Sequence, residues 1–197
     1  MGIKNETVNN RSNRILYHGL YFLQMRQGHR GGQMAIKERL MLAVAIIIAS
    51  GLLSSLYAMS DKQIETIRMV KKEAKKYTRY PSTIAAMCIV ESSAGKNRIG
   101  DDRKSLGLLH IQVATVRWLS GMYESIAFTK KLSDYDVEKL LLSNDSFSIE
   151  VASLYINHYM DHGWGYTKSV MVYNGGVNNW TYYWKVMKAK KIARGIN

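Results

Sequence analysis

A single proline in 197 residues, standing at the head of a helical pattern, constrains this chain more than any other feature. Proline lacks an N–H and crowds the turn before it, so it breaks helix interiors but suits a first turn. From Asp61 onward apolar residues recur at helical spacing, and no strong run of strand alternation, internal repeat or low-complexity tract is present. The pattern predicts helices over Asp61 to Tyr80, from Pro81 to a stop at Gly95, and over Ala114 to Tyr123. It predicts others over Val137 to Leu142 behind a capping box at Ser133 to Asp136, and over Asp145 to Met160, closed by Gly163. Tyr166 to Tyr173 and Asn179 to Lys190 complete the set, and Lys96 to Ser105 reads as a polar loop. The expected fold is therefore an all-α domain over residues 61–197, preceded by a hydrophobic export or anchor helix.

That leading segment is read from charge. Lys37 and Arg39 precede an uncharged run from Leu40 to Ser60, and Asp61 is the next charge. A bilayer span needs about 20 apolar residues. The run reaches that length, although Ser50, Gly51, Ser54 and Ser55 weaken its second half. Residues 34–60 are expected to be a signal peptide, cleaved after Ala58, or an uncleaved anchor in the inner membrane through residues 40–58. Basic residues on the near side place the domain beyond the membrane, in the periplasm. Residues 1–33 are polar, basic and non-globular. Arg30 to Gln33 can be encoded by a ribosome-binding sequence just upstream of Met34, so Met34 is the expected start of translation.

Lys and Arg number 28 against 15 Asp and Glu, a net +13, which favours polyanions: nucleic acid, anionic lipid or bacterial wall polymer. The one cysteine, Cys88, excludes an internal disulfide and falls on an apolar face, where a buried thiol is inert. The five histidines are scattered. His158 and His162 lie four apart without a third ligand nearby and read as surface or capping residues. No metal or other cofactor is expected.

The chemistry starts at Glu91. It closes the apolar run "PSTIAAMCIV", in the last turn of a mostly buried helix. Apolar neighbours and the negative end of the helix dipole both disfavour its charge, so its pKa should rise and the carboxyl could serve as a general acid. The plain alternative is a helix-end glutamate turned to solvent or paired with Lys96 or Arg98.

Two further motifs follow Glu91-Ser92: "SLGLLHIQVAT", Ser105 to Thr115, and "VMVYNGG", Val170 to Gly176. The order E-S, S-x-G-L-x-x-I-x-x-x-T and Y-N-x-G resembles the catalytic domain of soluble lytic transglycosylases, related in fold to goose-type lysozyme. "SIEVASLYI", Ser148 to Ile156, is similar to a further helix of that family, with Ala152 at its small position. The resemblance covers roughly Ile67 to Trp184.

The resemblance implies a lysozyme-like helical domain that binds a peptidoglycan glycan strand as a monomer. It implies cleavage of the β-1,4 bond between N-acetylmuramic acid and N-acetylglucosamine with formation of a 1,6-anhydro ring. Glu91 would be the one acid and base, and Tyr173 would orient its carboxyl. Ser92, Ser105, His110 and Asn174 would contact substrate, Gly107 would let the backbone approach the sugar, and Leu108 and Leu109 would wall the site with Ile111 beneath. The plain reading of Tyr173 is a buried tyrosine with a satisfied hydroxyl. Three departures stand out: His110 replaces the family's usual glutamine, Val113 its proline, and Met171 and Val172 its small residues before Tyr-Asn. His110 can still donate and accept, and it titrates where glutamine does not.

Three other functions compete. A true lysozyme on the same fold would use Asp101 or Asp102 to hold a water, although these two read better as a solvated pair facing Arg98 and Arg103. A basic nucleic-acid or membrane-surface module is a different class, and the motif order and export segment argue against nucleic acid. A non-catalytic wall-binding module would not need both Glu91 and Tyr173.

Overall fold

The computed structural model describes residue 41 and residues 59–196, so the run from Leu40 to Ala58 lies, but for Met41, outside the described residues. Contacts divide the chain into Met1–Ala49 and Ser50–Asn197. The second unit is built from α1 Asp61–Ala74, α2 Pro81–Ser92, β1 Ile99–Gly100, β2 Ser105–Leu106, α3 Val113–Ser120, α4 Asp134–Ser143, α5 Asp145–Asp161, α6 Gly165–Val172 and α7 Trp180–Gly195. Short 3-10 stretches occupy Asp101–Arg103 and Glu124–Lys131. The domain is mostly helical, as the periodicity predicts. Among the described residues no helix is long and apolar enough to cross a membrane.

α1 begins at a full capping box. The Ser60 hydroxyl accepts the Gln63 N–H, and the Gln63 side chain accepts the Ser60 N–H at 2.9 Å. Ile67, Val70 and Ala74 form its buried face. α2 is different, because every residue from Thr83 to Cys88 is buried. A helix apolar on all sides must be covered on all sides. α1 packs along one flank of α2 and α7 along another, the two most extensive helix contacts in the domain.

α2 stops at Ser92 rather than Gly95. Ser93 and Ala94 enter the left-handed region, at φ 52° and 56°. The Ser92 hydroxyl ties this turn, donating to the Leu108 carbonyl at 2.7 Å and accepting the Gly95 N–H at 2.8 Å. The expected loop from Lys96 to Ser105 contains a short antiparallel ladder, with Ile99 opposite Leu106 and Gly100 opposite Ser105. Two residues per strand are too few to write an alternation into a sequence.

Two features anchor this hairpin. Arg98 reaches Asp145 at the start of α5 in a bidentate pair, 2.6 and 3.1 Å. Gly107, at φ +79°, lies against the corner between α4 and α5. A Cβ there would press on the Leu141 carbonyl oxygen and come within 2.8 Å of Ser148 Oγ. On the far side, Arg117 of α3 donates to the Leu132 carbonyl and to Asp134, both at 2.7 Å, and fastens the 3-10 stretch to α4.

Candidate active site

A cleft of about 450 Å³ opens between the end of α2, the hairpin, α5 and the end of α6. Glu91, Asp101, Ser105 and His110 line it from the side of α2 and the hairpin, with Ile111, Gln112 and Thr115 next along the chain. Val151, Ala152 and Tyr155 of α5 and the stretch from Val172 to Gly175 line the remainder. Ala152 is fully buried yet borders the cleft, so its small side chain keeps this wall open.

Glu91 reaches the cleft because α2 ends there. Its side chain is 9% exposed. Tyr182 of α7 donates its hydroxyl to Glu91 Oε1 at 2.6 Å. The other oxygen, Oε2, faces His110 Nδ1 at 3.6 Å, within ion-pair range but beyond hydrogen-bond length. The second ring nitrogen of His110, Nε2, lies 3.0 Å from the Asn97 carbonyl. The neighbouring Glu91 carboxylate raises His110 above the usual value of 6.5, with the Asn97 carbonyl and Asp101 adding to it and burial opposing it.

The tyrosine hydroxyl on the acid is therefore that of Tyr182, and Tyr173 makes a different bond. Tyr173 borders the cleft, but its hydroxyl donates to the Leu109 carbonyl at 2.7 Å. Burial, and then the negative charge of Glu91, push both phenols well above their ordinary value of 10. Both are donors at any working pH. Their rings lie nearly parallel, with centroids 6.5 Å apart.

The remaining sequence candidates separate into two groups. Ser105, His110, Ile111 and Asn174 border the cleft. Asp101 does as well, and its Oδ2 accepts the Ser105 hydroxyl at 2.6 Å. Ser92, Leu108 and Leu109 are fully buried behind the cleft, with Ser92 tying the turn after α2. Gly107 faces the α4–α5 corner and is not among the residues that border the cleft. Asp102 is exposed at the hairpin tip, and Arg98 answers Asp145 rather than Glu91 or the tip aspartates.

Outside the cleft, burial pushes the Cys88 thiol up to about 12, so it remains protonated and unreactive. His162 caps α5, its Nδ1 lying 2.6 Å from the His158 carbonyl. Among the described residues no group of three His, Cys, Asp or Glu side chains could hold a metal ion.

Tyr182 is the residue that sequence reasoning missed. Its signal is weak: "WTYYW" places four aromatics in five positions, and nothing local shows which of them turns inward. In the structure Trp180 and Trp184 are exposed and Tyr182 is buried.

A helical domain with a cleft around one nearly buried glutamate is lysozyme-like in design. A family model described as Transglycosylase SLT domain matches residues 68–194, and the chain belongs to that family, whose substrate is peptidoglycan. No curated protein and no solved structure matches the chain.

Proposed function

We propose that the chain is a peptidoglycan lytic transglycosylase in which Glu91 is the sole acid and base. The observation that carries this reading is the setting of Glu91. It is a nearly buried carboxyl at a helix end, open to the cleft and gripped on Oε1 by Tyr182, inside a domain matched by the transglycosylase family. Glu91 protonates the glycosidic oxygen, and the bond from that oxygen to C1 breaks with its electron pair going to the leaving sugar. The substrate's own acetamido oxygen supports the positive C1, as in other substrate-assisted cases. The Glu91 carboxylate then takes the proton from the C6 hydroxyl, and O6 closes on C1 to form the anhydro ring. The carboxyl leaves the chemical steps protonated, as it entered them, and no water is consumed.

Glu91→Gln keeps the shape of the side chain and removes its proton. It is expected to lower the rate by about 10²–10⁴ while leaving the fold intact. The assay digests purified peptidoglycan and identifies the products by mass. Wild-type products ending in 1,6-anhydro-N-acetylmuramic acid support the reading, and full activity of Glu91→Gln would sink it. A second reading, a true lysozyme, rests on Asp101, whose carboxylate also borders the cleft. Reducing ends in place of anhydro ends would establish it. A non-catalytic wall-binding module would release no product at all.

The export reading belongs to the same proposal. The uncharged run after Lys37 and Arg39 would deliver the domain to a periplasmic substrate, either anchored or released. A reporter joined after Trp184 that works only in the cytoplasm would refute it.

A further inference from the structure

We propose that His110 is a positioning residue that shares one proton with Glu91, holding in the empty cleft the proton that Glu91, the acid, delivers to the substrate. The chemistry of this pair rests on the transglycosylase reading, but its geometry stands independently.

The imidazole is held in one orientation. His110 sits at φ 46°, in the left-handed region, which histidine tolerates better than most residues. Its ring lies on Gly100, where an added Cβ would be 2.8 Å from Cε1 and 2.9 Å from Nδ1. The ring is therefore seated against backbone that carries no side chain. Its side chain is 13% exposed, so the ring is packed on most sides and meets solvent where it borders the cleft.

The orientation also fixes where the proton goes. The Asn97 carbonyl beside Nε2 can only accept, so Nε2 carries its hydrogen in both protonation states. Nδ1 is then the titrating atom, and it is the atom that faces Glu91 Oε2. One proton between these two atoms has two arrangements. It can sit on Nδ1, giving an imidazolium beside a carboxylate, or on Oε2, giving a neutral carboxylic acid beside a neutral imidazole, 3.6 Å apart. The open cleft, with water present, favours the ion pair. A sugar strand that expels water removes the solvation of both charges and favours the neutral pair. Substrate arrival thus moves the proton onto Glu91, where general-acid chemistry needs it. After the anhydro ring closes, the proton taken from the C6 hydroxyl restores the same one-proton pair.

The groups facing His110 agree with this role. Glu91 approaches from α2, while Asp101 and the Asn97 carbonyl lie on the hairpin side, and all three favour a proton on the ring. Tyr182, the donor on Glu91 from α7, stays protonated and does not titrate in competition. Two coupled groups lose their protons in steps that belong to the pair. Loss of the last shared proton, rather than titration of an isolated carboxyl, then sets the alkaline limit of activity. The glutamine usual at this position can hydrogen-bond to Glu91 but cannot store a proton.

The test has two arms on the full chain. In the first, kcat/KM on purified peptidoglycan is measured against pH for wild type and His110→Gln. The alkaline midpoint is expected above 6.5 in wild type and at least about one unit lower in His110→Gln. At pH 7 the variant should lose about tenfold or more, and at pH 5 less than about threefold. A uniform loss at every pH, or an unchanged midpoint, overturns the proposal. In the second arm, NMR follows the ring of His110 through pH in wild type and Glu91→Gln. Wild type should show a raised midpoint with Nε2 as the nitrogen protonated in the neutral ring, and Glu91→Gln should lower that midpoint. An ordinary midpoint in both proteins, or the opposite tautomer, overturns the proposal. This second arm needs no turnover, so it decides the shared proton even if the product assay rejects a transglycosylase.

Discussion

On one side of the cleft, Glu91 and the Tyr182 that bonds to it are delivered by two helices, α2 and α7, packed along each other, with Thr83 to Cys88 of α2 buried. On the other, Asp101, Ser105 and His110 are delivered by irregular backbone. In that stretch Asp101, Asp102, Arg103, Gly107 and His110 all adopt positive φ. The first side gains its precision from volume, because a helix packed on several flanks cannot turn or slide without opening a void. The second gains it from a few fixed points: the Arg98–Asp145 pair, the close approach of Gly107 and the seat that Gly100 makes for the imidazole. The buried helix holds the Glu91 carboxyl still. The neighbours that tune it need special directions rather than depth, and left-handed backbone supplies these.

The comparison breaks most visibly at Gly107. If the rim is held by close backbone approach, Gly107→Ala must both strain a left-handed residue and push the hairpin exit off the α4–α5 corner. Strain of about 1–2 kcal/mol and overpacking of about 1–3 kcal/mol together predict a loss of about 3 kcal/mol. Gly175→Ala provides the control, with a similar φ of +89° but nothing within 4 Å of the added carbon. It should cost only the strain, about 1 kcal/mol. Urea unfolding of both variants checks this, and equal losses would mean that the corner packing contributes nothing.

This contrast also explains what the sequence could and could not reveal. The helices were legible because burial writes itself as spacing: Ile67, Val70 and Ala74, or Pro81 ahead of an unbroken apolar run, reflect helix geometry alone. Motif order placed Glu91, Ser105, His110 and Tyr173 near one another in expectation. The hairpin was not legible beyond a polar loop, because its strands are two residues long and leave no alternation to read. Roles within motifs were equally hidden. Ser92 and Gly107 read as substrate contacts beside an acid and in a loop, and neither motif shows that Ser92 ties the turn after α2 or that Gly107 lies on the α4–α5 corner. Tyr182 escaped because a hydroxyl that crosses from α7 to α2, 91 positions away, leaves no local trace.

The helix side is sharpened by two tyrosines. Tyr182→Phe leaves the ring in place and strips a donor from nearly buried Glu91 Oε1. An unsatisfied buried acceptor costs about 1–3 kcal/mol, which here falls on the geometry of the acid and predicts a rate loss of about tenfold or more. Tyr173→Phe removes a donor from the Leu109 carbonyl instead, so it should cost about 1 kcal/mol of stability and less than about threefold in rate. Steady-state rates on the same peptidoglycan, together with unfolding midpoints, test the pair. The reverse ranking would return the acid-orienting role to Tyr173.

The smallest effect is expected on the rim, at Asp101→Asn. Asp101 borders the cleft, and its Oδ2 accepts the Ser105 hydroxyl at 2.6 Å, directly across from where Gly100 pairs with Ser105. Asparagine keeps one carbonyl oxygen, so the bond to Ser105 survives with a neutral acceptor in place of a charged one, a loss of about 1 kcal/mol at most. If the substrate's acetamido group supports C1, the charge on Asp101 has no chemical step to perform. The rate should then change by less than about threefold. A hydrolase using Asp101 to activate water would respond very differently, since general-base loss costs about 10²–10⁴. Product mass spectrometry reads both outcomes in one digest. Anhydro ends at nearly wild-type yield from Asp101→Asn mean that the rim carboxylate performs no chemical step of its own. Reducing ends in wild type that vanish in the variant would make the rim as catalytic as the helix side, and the contrast between the two walls would fail.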